Sequence, residues 1–317
     1  MIMQEGTVIK STGSWYQVKL DDAEVLQCRI VGKFRLDNLP LTNPVAVGDR
    51  VEVVLEGEGN GLIKKILPRR NYVVRASPRR RHDLHLLASN IDRVALMATI
   101  VQPTVKPGFI DRFLIMTERH EIPVTLIFNK VDLYDEEDLS RLLELKMIYE
   151  KIGYEVLATS VAEQRGLAGF RAALANQTTL LSGQSGVGKS SLVNCVQPQI
   201  NLRTGEISDY SGKGQHTTTF AEMFPLDFGG WVIDTPGIKT LGFNDKDAHN
   251  IAHSFREFFQ LSGSCRFGGS CLHRNEPGCA VHAALRKGEV SEVRYTNYLT
   301  ILDEVESQNY WEQDKQL

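Results

Sequence analysis

The sequence predicts a multi-domain chain. An all-β barrel of OB type opens it, a central α/β domain with a parallel sheet follows, and a mainly α segment built round a metal ion ends it. Three observations carry this. Short alternating stretches crowd the first seventy residues. A βαβαβ rhythm then leads into the phosphate-loop pattern G-x-x-x-x-G-K-S at residues 183–190. Finally, Cys265, Cys271, His273 and Cys279 fall within fifteen residues.

In the first part, alternation runs through Thr7-Val8-Ile9-Lys10 and through Trp15 to Leu20, with a Ser-Thr-Gly-Ser turn between them. Further strands are predicted at 25–31, 50–55 and 62–67, separated by Gly-rich turns. Four or five short strands in so few residues suit a small barrel over 1–68, a fold that often binds oligonucleotides. Residues 69–84 read as a linker. Its portion 69–81 holds six arginines and no acid, a candidate contact for phosphate backbone.

The α/β domain is expected over 85–244. Residues 91–101 form a continuous apolar run, as in a strand covered on both faces. Residues 108–120 have helical spacing, and 123–128 form the next strand, ending in Asn129-Lys130-Val131-Asp132. N-K-x-D at a strand end reads guanine. The Asp132 carboxylate accepts from N1–H and N2–H, a pair of donors adenine lacks; Asn129 braces neighbouring loops; the Lys130 stem covers the base. Thr159-Ser160-Val161 ends the following strand, where Ser160 is expected to present its N–H to guanine O6.

Residues 178–182 then form a buried strand before the loop Gly183-Gln184-Ser185-Gly186-Val187-Gly188-Lys189-Ser190-Ser191. Its glycines let backbone N–H groups turn toward phosphate oxygens at a helix N-terminus. Lys189 is expected to reach the β- and γ-phosphates, and the Ser190 hydroxyl to ligate Mg²⁺. The long irregular stretch 201–216 leads into Thr217-Thr218-Thr219, where Thr218, with Thr217 next, is the candidate that closes on Mg²⁺. A strand at 230–233 ends in Asp234-Thr235-Pro236-Gly237, a D-x-x-G motif. Asp234 would hold Mg²⁺ through water, and the Gly237 N–H would bond the γ-phosphate.

The order of these motifs departs from Ras-like GTPases, in which the phosphate loop comes first. Here N-K-x-D and the serine loop precede it, a circular permutation that strand-end motifs of one sheet can survive. Ile238 follows D-x-x-G, where Ras has the glutamine that orients the attacking water. His216, just before the threonines, is the candidate replacement.

At the C-terminus, over 245–317, three thiolates and one imidazole match a closed structural Zn²⁺ site, with glycines at 268, 269 and 278 for the turns. Residues 248–261 and 283–310 read as helices, with Arg286, Lys287, Arg294 and Tyr295 as a possible RNA-facing side.

Composition sets bounds. Of 317 residues, 42% are hydrophobic and 24% charged, an ordinary globular balance. A net charge of −3 excludes a chain that binds nucleic acid over its whole surface. No apolar run reaches the roughly 18 residues of a membrane span, and the N-terminus lacks the pattern of a secretory signal. A cytoplasmic monomer is expected. In that compartment, clustered cysteines favour metal over disulfide.

Taken together, NKVD, TSV, GQSGVGKSS, GQHTTT and DTPG in permuted order resemble the RsgA/YjeQ family of small-ribosomal-subunit-dependent GTPases. The resemblance covers nearly the whole chain. It implies an OB barrel, a permuted GTPase domain and a zinc domain, with GTP/GDP, Mg²⁺ and Zn²⁺ bound. It also implies binding to the small subunit and its rRNA in late maturation, with hydrolysis stimulated by that subunit and followed by release. The family's proposed catalytic histidine falls on His216. In the family the first cysteine pair is often one residue closer than Cys265 and Cys271. A nucleotide-gated RNA- or protein-binding scaffold with incidental hydrolysis is the competing class. NKVD argues against a P-loop kinase or ATPase.

Overall fold

The computed structural model describes residues 3–30, 43–57, 59–76, 84–106, 108–202, 221–235 and 247–313. The first five strands are β1 (Met3–Ser11), β2 (Tyr16–Leu20), β3 (Val25–Ile30), β4 (Arg50–Leu55) and β5 (Asn60–Ile66). They pair in the order β1-β2-β3-β5-β4, and β4 returns to β1, so the sheet closes. The β3–β5 pair is parallel and the others antiparallel. Alternate residues turn inward, as a period of two requires: Tyr16, Val18 and Leu20 from β2, Leu26 and Cys28 from β3, Val51 and Val53 from β4.

The segment read as a linker contains strand. β6 (Tyr72–Ala76) and β7 (Leu84–Ser89) form an antiparallel pair. Two of the six arginines proposed as phosphate contacts are committed within the protein. Arg69 donates to both carboxylate oxygens of buried Asp49 at 2.6 Å and to Pro44 O at 2.8 Å. Arg70 pairs with Asp92 at 2.5 Å and donates to Ile91 O at 3.0 Å. Arg79, Arg80 and Arg81 lie outside the described residues.

Asp49 joins the barrel to the β6–β7 pair. It also accepts from the Ser89 hydroxyl at 2.5 Å and the Ala46 N–H at 2.8 Å. The preceding Gly48 has φ +92°, and a Cβ there would lie 2.1 Å from Ser89 O, so barrel and β7 approach too closely for any side chain.

The central sheet comprises β8 (Arg93–Ala98), β9 (Val124–Asn129), β10 (Glu155–Thr159), β11 (Thr178–Gly183), β12 (Glu222–Pro225) and β13 (Trp231–Asp234), ordered β10-β9-β8-β11-β13-β12. All pairs are parallel except β12–β13. Helices cover both faces. Val94, Leu96, Leu126 and Phe128 face α1 (Phe109–Glu118) and α2 (Glu136–Lys151). Ala95, Met97, Ile127 and Leu181 face α3 (Leu167–Leu174) and α4 (Lys189–Val196). Burial on both sides is why these strands read as apolar runs and not as alternation. An antiparallel contact, Lys10 opposite Glu222 with a 2.8 Å ion pair, ties barrel strand β1 to edge strand β12.

Among the described residues, the C-terminal part holds the α-helices α5 (Ala248–His253), α6 (Arg256–Ser262), α7 (Ala280–Arg286) and α8 (Glu292–Gln313). They pack around Phe255, Phe258, Tyr298, Ile301 and the three cysteines. Arg294, expected on an RNA-facing side, is buried. It bonds Asp111 of α1 at 2.5 Å and Glu257 of α6 at 2.8 and 2.9 Å. Tyr149 of α2 and Asn297 of α8 complete the coordination of Asp111. This buried network joins the C-terminal helices to the central domain. Among the described residues, no helix is long and apolar enough to cross a membrane.

Asp49→Ala leaves the Arg69 guanidinium buried without its counter-ion, and is expected to destabilise the chain by about 3–5 kcal/mol. Lys146→Ala removes only the exposed pair with Glu150, and should cost less than about 1 kcal/mol. Chemical denaturation of both variants checks the contrast.

Candidate nucleotide site and metal centre

The motifs read from sequence converge at the C-terminal ends of the central strands, the edge where an open α/β sheet binds ligands. Asn129 ends β9, Thr159 ends β10, Gly183 ends β11 and Asp234 ends β13. Lys189 opens α4, directly after Gly188 in a left-handed conformation at φ +90°.

Asn129 is the pivot. Its side-chain amide donates to Val187 O in the phosphate loop at 2.9 Å. Its carbonyl oxygen accepts from the Thr159 hydroxyl at 2.9 Å. The base motif, the serine loop and the phosphate loop are thereby fastened through one buried amide. A Cβ on Gly188 would lie 2.5 Å from Asn129 Nδ2, so the same contact fixes the glycine.

Lys130 adopts φ +64°, and its ammonium donates to Gln102 O at 2.8 Å. This lays the stem along the site, and burial lowers its pKa against the pull of Asp132. Asp132 accepts from the Ser160 hydroxyl at 2.5 Å. Here the expectation for Ser160 is corrected. Its N–H donates to Arg165 O at 3.0 Å in a local bridge, so it is not presented to a base. The hydroxyl instead orients the Asp132 carboxylate, while accepting from the Glu163 N–H at 3.0 Å.

Lys189 is buried, and its ammonium donates to Gly183 O at 3.2 Å and Gln184 O at 3.0 Å. Burial pulls its pKa down to about 8, opposed by the nearby Asp234 carboxylate. A cation under these conditions favours an anion arriving beside it. Of the residues expected from the sequence to hold Mg²⁺, Ser190 lies on the first turn of α4 and Asp234 is buried at the end of β13. His216, Thr217, Thr218, Gly237 and Ile238 lie outside the described residues.

Sequence reasoning missed three supporting groups. Thr159 fixes the Asn129 amide. The Tyr134 hydroxyl accepts from the Ile100 N–H at 2.7 Å and donates to Asn129 O at 3.0 Å. Gln102 holds Lys130. Only Thr159 had a signal, its place beside Ser160 at a strand end.

In the C-terminal domain, Cys265, Cys271, His273 and Cys279 bring their donor atoms within 4.8 Å of one another, all buried. His273 Nδ1 lies 3.7 Å from Cys265 Sγ and 3.4 Å from Cys279 Sγ. Ligands at 2.0–2.3 Å around a tetrahedral ion stand about 3.5–3.8 Å apart, so the residues fit such an ion. Burial raises the Cys271 thiol to about 12 and the Cys279 thiol above its ordinary value, and a dication would offset that cost. The ring is locked by its own backbone: His273 has φ +54°, and its carbonyl oxygen accepts from the Tyr295 hydroxyl at 2.8 Å. His282 stands outside the cluster, with Nε2 against His273 O and Tyr295 Oη.

Residues 66–244 match the family model described as RsgA GTPase, and residues 5–63 match the RsgA N-terminal domain. The chain belongs to the RsgA GTPase family. It is 47% identical over 306 residues to the small ribosomal subunit biogenesis GTPase RsgA 2 of Bacteroides thetaiotaomicron, covering 96% of this chain and 98% of that one. It is 46% identical over 301 residues to the RsgA of Flavobacterium johnsoniae, covering 94% and 92%. Among solved structures, YjeQ from Thermotoga maritima superposes with a TM-score of 0.75 at 33% identity, covering 96% of this chain and 99% of that one. YloQ, described as a circularly permuted GTPase, gives 0.71 at 31% identity, covering 97% and 96%. RsgA membership makes the chain a GTP-hydrolysing enzyme, and implies a guanine nucleotide and Mg²⁺.

Gly188→Ala should lower guanine-nucleotide affinity at least about tenfold, because a Cβ drives against the Asn129 amide in a conformation that L residues resist. Titration with a fluorescent GDP analogue measures this. An unchanged dissociation constant would show that the two loops need not touch.

Proposed function

We propose that this protein binds the small ribosomal subunit through rRNA late in maturation, hydrolyses GTP when the subunit stimulates it, and is released by that hydrolysis. The relatives' names supply the subunit. The observation that carries the nucleotide half is the Asn129 clasp, which joins a guanine-reading loop to a phosphate loop.

Asp132, aimed by Ser160, accepts from guanine N1–H and N2–H. We assign guanine O6 to the next N–H, that of Val161. The Lys130 stem covers the base. The N–H groups of Gly183, Gln184, Ser185, Gly186, Val187, Gly188, Lys189, Ser190 and Ser191 form the phosphate cradle, and Lys189 Nζ neutralises the β- and γ-oxygens. Ser190, Asp234 and Thr218 would hold Mg²⁺, which would supply neutralisation of phosphate charge when bound. Gly237 donates its N–H to the γ-phosphate. His216 orients the attacking water, the role Ile238 cannot fill. The free chain therefore turns over slowly.

Cys265, Cys271, His273 and Cys279 would hold one structural Zn²⁺. Four protein ligands leave no open position, so its contribution is to fold the knuckle.

Turnover and co-sedimentation with small subunits test the reading. GTP hydrolysis should rise on adding subunits, and the chain should pellet with them in a non-hydrolysable GTP analogue but less with GDP. Equal rates with and without subunits would contradict it. His216→Ala should lower stimulated turnover by about 10²-fold or more with GDP affinity unchanged. Purified chain should contain one zinc per molecule, and chelation should unfold residues 265–279 while sparing nucleotide binding.

A further inference from the structure

The C-terminal domain exposes two phenylalanines that its own packing does not explain. Phe259 on α6 is 59% exposed, and Phe267, in the loop between Cys265 and Cys271, is 47% exposed. The adjacent Phe255 and Phe258 behave as core residues should, buried edge-on against Tyr298. His253 touches both segments that carry the exposed pair. That ring meets Phe259 edge-on at 5.6 Å, and its Nε2 lies 3.1 Å from Gly269 O in the Phe267 turn. The turn is held by the Ser270 hydroxyl, which donates to Phe267 O at 2.7 Å. Phe267 is thus mounted on a rigid knuckle beside two metal-ligand candidates.

The acids that border the segment carrying the rings are themselves engaged: Glu257 holds Arg294, and Glu276 accepts from the Leu272 and Arg274 N–H groups. Residues 258–275 contain Arg266 and Arg274 and no carboxylate. Arg274 is engaged by Asp303 and Glu306 at 2.8 Å each. Arg266 is exposed, makes no ion pair among the described residues, and lies over the Phe267 ring at 5.8 Å. The ground beside the rings is open: a Cβ on Gly263 or Gly268 would meet nothing within 4 Å.

Flat apolar faces beside an exposed guanidinium that makes no ion pair among the described residues suit a polyanion that offers flat apolar faces of its own. Unpaired nucleic-acid bases have that chemistry, and stacking on aromatic side chains is how proteins hold single strands without reading sequence. A duplex keeps its bases stacked on one another and offers no free face. An apolar protein partner would gain little from two rings set among Gln260, Ser264 and Ser270. We propose that Phe259 and Phe267 form a stacking platform for unpaired RNA bases, with Arg266 on the adjoining phosphate. The choice of RNA rests on the ribosomal reading above; the platform itself rests on the exposed rings and their charge.

The test uses the full-length, zinc-loaded chain and a fluorescein-labelled single-stranded RNA of about ten nucleotides. Phe259→Ala/Phe267→Ala should weaken binding by about tenfold or more. Phe259→Trp/Phe267→Trp should keep it, since the π-face is retained. Zinc content and GDP affinity, unchanged in both variants, show that the fold is intact. The proposal is overturned if the double alanine variant binds the RNA as the parent does, or if the parent does not bind it. Loss of small-subunit co-sedimentation with RNA binding intact also overturns it, and marks a protein contact instead. If the rings govern RNA binding but the parent never sediments with small subunits, the platform stands and the ribosomal reading falls.

Discussion

One buried carboxamide organises the nucleotide site. Asn129 faces two ways at once, donating to the phosphate loop and accepting from the Thr159 hydroxyl beside the serine loop. Between β9 and β11 lies β8, so the amide reaches across a neighbouring strand end to make its contact. Such a link depends on where strands lie in the sheet and not on which comes first in the chain. That is the physical reason a permuted order can keep a working site. It also explains why Gly188 tolerates no side chain: the amide occupies the space a Cβ would need.

Two buried ionic junctions hold the flanking parts to this centre. Asp49 gathers Arg69, Ser89 and the Ala46 N–H where the barrel meets β7. Arg294 gathers Asp111 and Glu257 where the C-terminal helices meet α1. Buried pairs of this kind add little net stability compared with apolar packing, but their geometry is exacting and their rupture costly. They set barrel, nucleotide domain and Cys/His knuckle in a defined relation, as a protein needs if nucleotide state is to be felt in its flanking domains. The permutation helps, since the chain runs from Asp234 through the D-x-x-G segment directly toward α5.

Much of this was legible in the sequence, for a local reason. Phosphate loop, N-K-x-D and the Cys/His cluster are short motifs whose spacing encodes their geometry, and double-sided burial shows as apolar runs at 91–101 and 123–128. What escaped depends on partners distant in the chain. Arg69 looked like a phosphate contact because Asp49, twenty residues earlier, gives no sign that it is buried. Arg294 looked like a surface cation because Asp111 lies far upstream in another domain. The Ser160 N–H looked available until the bridge to Arg165 showed it spent. Phe259 and Phe258 are adjacent aromatic residues with opposite fates, decided by which side of a seven-residue helix meets Tyr298.

The central claim is that Asn129 couples base recognition to the phosphate loop through Thr159. A double-mutant cycle on GDP affinity tests it most directly, using Asn129→Ala, Thr159→Val and the pair together. Thr159→Val should weaken binding in the parent but change nothing once Asn129 is alanine, a coupling of about 1 kcal/mol or more. Penalties that simply add would contradict it.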